Sequence, residues 1–245
     1  MTSKESMNAY LNLELSGRMI IQQTEVGSVG VDSVFGADQI VVFSDLFEKV
    51  ERGSEIIGHQ RRKKWFGNVW LKVGGAWEER QVWAKEKTYA SWYTRVREKN
   101  RTVDILNQAD DLRKSRGLVS VLQEIQMATK CQEALLSLHD LDVVVEKPLG
   151  FIISRKVDTS ARVVTNDLRR RWIIYENLPI KINDQNLPEV ADYSDFLKVK
   201  ACLRKSGINI GELPFTEDSR VASLFNLDDG RLGLLDLEGY YLAKD

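Results

Sequence analysis

The chain has 245 residues, of which 43% are hydrophobic and 29% charged, a balance that excludes a disordered chain and suffices for one large domain or two small ones. Its net charge of -1 hides an asymmetry: His59 to Arg101 holds twelve Lys/Arg against four Asp/Glu, or +8, leaving 23 against 32, or -9, elsewhere. No apolar run reaches the roughly 20 residues of a membrane-spanning helix, and Met1 to Ser6 is too polar for a signal peptide, so a cytoplasmic or nuclear location is expected.

Cys131 and Cys202 are the two cysteines, far apart and outside any C-x-x-C spacing, which argues against a disulfide framework or a thiolate zinc site. No cofactor is expected. The expected fold is α+β, with mixed or antiparallel sheets built from hairpins, a central helical segment over about 102–139 and two further C-terminal helices. It is expected as a single globular domain over 1–245, with a β-rich lobe (1–101) and an α+β lobe (102–245).

In chain order, the alternation from Tyr10 to Leu15, the turn Ser16-Gly17-Arg18 and Met19 to Gln23 predict a hairpin, and Gly27 to Gly36 a loop. Ile40 to Phe43 suggests a short strand. Ser44 would cap a helix from Asp45 to Val50, ended by Gly53. Period-two spacing returns at Val69, followed by the turn signal Gly74-Gly75 and a second strand near Gln81 to Lys85.

Helical spacing runs from Thr102 to His139, broken near Ser115-Arg116-Gly117, with Leu118, Leu122, Ile125 and Thr129 on one stripe. Leu141 to Glu146 and Phe151 to Ser154 would pair across Lys147-Pro148-Leu149-Gly150, and Arg162 to Thr165 and Trp172 to Glu176 add strands. Asp192 or Ser194 starts a helix ending near Gly207, Thr216 starts another through Phe225, and Leu232 to Leu237 with Tyr240 to Ala243 close the chain as a hairpin.

Catalytic signatures are absent from this reading. Neither phosphate-cradling glycine loop occurs, no [DE]-x-K triplet is available for a two-metal nuclease, and only His59 and His139 could serve as imidazole base or ligand. His139-Asp140 with Asp142 and His59 resembles the ligand set of metal-dependent HD phosphohydrolases. The run Arg61 to Lys64 beside His59 would repel a cation, so that reading ranks third.

The basic segment also carries five of the six tryptophans: Trp65, Trp70, Trp77, Trp83 and Trp92. A hairpin closed by Gly74-Gly75 puts Val69, Leu71, Val73, Val82 and Ala84 on one face and Trp70, Lys72, Gln81, Trp83 and Lys85 on the other. Flat rings stack on bases and cations meet phosphates, so the leading expectation is a non-enzymatic protein that binds RNA or another single-stranded nucleic acid. Its candidate residues are Arg61, Arg62, Lys63, Lys64, Trp70, Lys72, Trp83, Lys85, Lys87, Arg95 and Arg97. The competing interpretation packs Trp70 and Trp83 under a helix, with the lysines snorkelling at the sheet edge. Arg169-Arg170-Arg171-Trp172 reads as a second basic cluster on a strand edge.

The paired strands, the helix near Ser44 to Val50, and Ile57-Gly58-His59-Gln60-Arg61-Arg62 before an apolar strand together resemble the layout of rhabdovirus matrix proteins, although no proline-rich late-domain sequence stands near the start of the chain. The resemblance implies an alternative function, a structural assembly protein or homo-oligomer whose basic face meets an anionic membrane surface or a ribonucleoprotein.

Overall fold

The computed structural model describes residues 19–57, 62–86, 118–157, 169–210, 223–237 and 240–242. Two compact units share the chain: Met1–Gln123 with Pro148–Glu176, and Glu124–Lys147 with Asn177–Asp245. The fold class is α+β, as the grouping of strands and helices predicts.

In the first unit the strands are β1 (Met19–Gln23), β2 (Gly27–Asp32), β3 (Glu55–Ile57), β4 (Arg62–Val73), β5 (Ala76–Glu86), β7 (Pro148–Val157) and β8 (Arg169–Glu176). They form a seven-stranded sheet in the order β1-β2-β7-β8-β5-β4-β3, every neighbouring pair antiparallel. Helix α1 (Gln39–Gly53) covers one face.

The stretch Gly27 to Asp32, expected as a loop, is strand β2, because its glycines serve close packing. The Phe151 ring lies over Gly30, where an added Cβ would come 2.2 Å from it, while Val29 and Val31 point into the core. The expected strand Ile40 to Phe43 and short helix after it are one helix. Ile40, Phe43, Leu46, Phe47 and Val50 recur at three- and four-residue spacing and are all buried. Ser44 is no cap; its hydroxyl donates back to the Ile40 carbonyl at 2.8 Å. Trp172 is buried between the layers and donates its indole N–H to Glu51 of α1 at 3.0 Å.

The second unit holds β6 (Val143–Val145), β9 (Ile208–Ile210), β10 (Leu224–Asn226), β11 (Leu232–Leu234) and β12 (Tyr240–Leu242), with helix α3 (Tyr193–Lys205) and most of α2 (Leu118–Leu135). Its sheets run β10-β11-β6, with β11 and β6 parallel, and β12-β9. The core joins Ala128, Cys131 and Leu135 of α2 to Val199, Cys202 and Leu203 of α3 and to Val143, Val145, Leu224 and Leu234. Asp192 precedes α3 and Gly207 follows it at φ +72°, both as the sequence suggests.

Two expected hairpins do not form. Val143–Val145 pairs with β11 and Pro148–Val157 with β2 and β8, so they belong to different sheets. Likewise β11 pairs with β10 and β6, while β12 pairs with β9. Short apolar strands choose partners by burial, which sequence neighbourhood does not report. The helix expected from Thr216 falls mostly outside the described residues, and Leu224–Asn226, expected as its end, is a strand. The expected strands at 10–15 and 162–165 and the first central helix before 117 also lie outside them. Among the described residues no helix is long and apolar enough to cross a membrane.

Candidate nucleic-acid interface

The β4–β5 hairpin turns through Gly74 and Gly75 at φ +58° and +93°, the left-handed pair that a two-residue turn needs. That turn sets the register, from Val73 opposite Ala76 to Lys64 opposite Lys85. Opposed residues share a face. Trp65, Val69, Leu71 and Val73 therefore lie with Ala84, Val82 and Arg80 on the face covered by α1, and Lys64, Phe66, Asn68, Trp70 and Lys72 lie with Lys85, Trp83, Gln81, Glu79 and Trp77 on the other.

The outer face changes character from its margin to the sheet centre. Phe66 and Trp70 of β4, and Trp77 beside the turn, are 57%, 56% and 53% exposed. Toward the sheet centre, Trp83 is only 9% exposed and stacks on Tyr175 of β8, with ring centres 4.7 Å apart and planes 18° from parallel. Phe66 continues the ladder on the other side of Trp83, at 6.2 Å and 19°, and the Lys64 ammonium sits 5.3 Å from the Trp83 ring centre. Three strands thus contribute Tyr175, Trp83 and Phe66 to one row of near-parallel rings that ends in an exposed phenyl.

The sequence-derived candidates divide accordingly. Trp70 is presented to solvent. Trp83 is a packed rung of the ladder, and Lys85, expected among the exposed cations, is 4% exposed, with Ile173 of β8 opposite it. Lys72 keeps its place on the outer face but pairs with Asp38, just before α1, at 3.2 Å. Lys63 has the parity of the α1 face. Arg62 opens β4. Its side chain, together with Arg61, Lys87, Arg95 and Arg97, lies outside the described residues.

Phe66 and Trp77 belong to the surface although the sequence reading did not select them. Their signal was present: Phe66 shares the parity of Trp70, and Trp77 falls opposite Lys72 once the turn is placed. One acidic group also stands on this face. Glu79, opposite Trp70, accepts a hydrogen bond from the Asn68 amide at 3.2 Å. Arg80 on the α1 side is tied to Glu176 at 3.0 Å and to Glu78 at 2.6 Å, so it is engaged within the sheet. Arg171, expected on a strand edge, is buried in β8 between β7 and β5.

Among the described residues no group of three or more His, Cys, Asp or Glu side chains could hold a metal ion. His139 is exposed, and the neighbouring Asp140 carboxylate faces Lys198 at 3.6 Å. His59 lies outside the described residues.

No family model matches the chain, and no curated protein does. Among solved structures, one of WbdD crystallised with a kinase inhibitor is similar at 10% identity and a TM-score of 0.28. The match covers 71% of this chain and 34% of that one. The chain therefore spans about a third of that protein's length, and a likeness this weak carries no argument about fold or function.

Proposed function

We propose that this chain is a non-enzymatic nucleic-acid-binding protein for RNA or single strands, acting in the cytoplasm or nucleus. The observation that carries the proposal is the exposed aromatic row on one hairpin face: Phe66, Trp70 and Trp77, backed by the Trp83–Tyr175 stack. A base can add to the open side of Phe66 as the next rung of the ladder, and Trp70 and Trp77 offer further rings. Each stacked base is worth about 1–3 kcal/mol without sequence readout. Lys64 and Lys72 border the rings, and the cations of the +8 segment other than the buried Lys85 and the sheet-bound Arg80 supply phosphate contacts with a salt-dependent free energy.

The test is fluorescence anisotropy with labelled poly-uridine and poly-thymidine oligonucleotides across a salt series. Replacing Arg61, Arg62, Lys63 and Lys64 together with alanine should weaken binding equally for both oligonucleotides and flatten the slope of log K against log salt. Absence of binding by the wild type at low salt overturns the proposal.

A second function, structural assembly on an anionic membrane or ribonucleoprotein, draws support from the same basic segment, whose net +8 would meet an anionic surface. Flotation with phosphatidylserine vesicles, with and without nuclease, separates the two. Nuclease-resistant flotation favours assembly on lipid, and nuclease-sensitive flotation favours nucleic acid.

A further inference from the structure

Aromatic rings stack on any base, so selectivity among bases depends on the polar groups that stand beside them. On the outer hairpin face the register supplies such a group at Trp70. A two-residue turn makes Val73 and Ala76 a hydrogen-bonded pair, and bonded and non-bonded pairs alternate from there. Trp70 and Glu79 are therefore a non-hydrogen-bonded pair, the closer kind, with Cβ atoms about 4.5–5.5 Å apart. Trp77 precedes Glu79 by two residues on the same face. The Glu79 carboxylate, itself exposed, thus stands beside two indoles that are 56% and 53% exposed.

Asn68 fixes where that carboxylate lies. It is two residues before Trp70 on the same face, and its side-chain nitrogen donates to Glu79 Oε1 at 3.2 Å. An amide nitrogen carries two N–H groups, and a carboxylate accepts at both oxygens. Read across the pair, the groups run acceptor, acceptor, donor: Glu79 Oε2, Glu79 Oε1 and the second N–H of Asn68. Both side chains are exposed, so this row faces the water in which a base would lie.

Guanine carries the complementary row on its pairing edge, with donors at N2 and N1 followed by the acceptor O6. The other bases lack it. Adenine and cytosine each set a ring-nitrogen acceptor beside their one amino group, and uracil and thymine set a single N–H between two carbonyls. Each of these would turn an acceptor toward a carboxylate oxygen, which leaves both unsatisfied.

Given the nucleic-acid reading above, on which this rests, we propose that Glu79 and Asn68 select guanine. A guanine stacked on Trp70 donates N1–H and N2–H to the Glu79 carboxylate and accepts at O6 from Asn68. The two bonds to the carboxylate are charge-assisted, the stronger kind. The same negative charge repels phosphates, so removing it acts in opposite directions on strands with and without guanine.

Fluorescence anisotropy with short uridine oligomers, either unbroken or carrying one central guanosine, inosine or adenosine, tests the selection. The guanosine probe should bind about tenfold more tightly than the adenosine probe. Inosine keeps N1–H and O6 but lacks the 2-amino group, so its probe should fall between them. Glu79→Gln replaces one acceptor by a donor at an exposed position, and a thermal melt checks that the variant is folded. It should weaken binding of the guanosine probe by about tenfold, while the all-uridine oligomer binds as tightly as before or more tightly. Asn68→Asp sets an acceptor against O6 and should also abolish the preference. Deoxyribose counterparts should show the same ratio, because the pair meets only the base, and a ratio confined to one sugar would contradict that geometry. Binding of the all-uridine oligomer with no gain from guanosine overturns the selection alone, whereas no binding of any probe overturns it together with the function it rests on. Equal tightening of every probe by Glu79→Gln makes Glu79 a repelling charge only, and overturns the selection as well.

Discussion

Trp83 lies face to face with Tyr175, ring centres 4.7 Å apart, and this contact separates it from Trp70 on the same hairpin face. Trp83 is held between β4 and β8, whereas Trp70 stands over the outer part of the hairpin with more than half its surface in water. Trp83→Ala should therefore destabilise the protein by about 3–5 kcal/mol, as for any buried aromatic truncated in a core. Trp70→Ala should change stability by less than about 0.5 kcal/mol. Its effect belongs in binding, a loss of about 1–3 kcal/mol for each base unstacked. Chemical denaturation of both variants beside oligonucleotide titrations measures the contrast, and equal destabilisation by the two would contradict it.

Gly30 is required by the ring above it. A Cβ there would come 2.2 Å from Phe151, a fully buried side chain with no room to withdraw. Gly30→Ala should cost about 1–3 kcal/mol through overpacking. Gly30→Ala combined with Phe151→Leu should cost less than the sum of the two single changes, which a double-mutant cycle in urea would reveal.

Burial pushes the Cys131 thiol up to about 12 from an ordinary value of 9.0. Its neutral form is thus favoured in the folded chain. Because the folded value is the higher one, this stabilisation is complete below pH 9 and is lost as pH rises toward 12, with a slope of up to about 1.4 kcal/mol per pH unit from this group. Cys131→Ala should flatten the alkaline limb of the stability curve. Iodoacetamide at pH 8 should leave Cys131 unmodified until the chain is unfolded.

Glu189 is held below the usual carboxylate range by hydrogen bonds from Lys181 and then from Asn226, whose amide donates at 2.7 Å. A lowered folded value contributes stability above the ordinary value of 4.5, and that contribution disappears as pH falls through the lowered one. Thermal melts between pH 6 and pH 3 should show a smaller acid-induced drop for Glu189→Gln than for the wild type. An unchanged acid limb in that variant would show that Glu189 does not govern it.

The β4–β5 hairpin was legible in the sequence because its signals are local. Gly74-Gly75 supplies the left-handed turn, alternation assigns Val69, Leu71 and Val82 to one face and Trp70 and Lys72 to the other, and a two-residue turn leaves no freedom of register. The α+β class, Cys131 as a small core residue and the limits of α3 were legible for the same reason.

Tertiary structure alone decided which outward residues meet solvent. Trp83 and Lys85 have the same parity as Trp70 and Lys72, yet they lie opposite Tyr175 and Ile173 of β8, distant in sequence, and are buried, while Trp70 is more than half exposed. It also decided that Val143–Val145 pairs with Leu232–Leu234, since a short apolar strand fits many partners and burial against distant segments makes the choice. Periodicity sets the direction a side chain points from its own backbone, whereas its neighbours depend on where the rest of the chain folds.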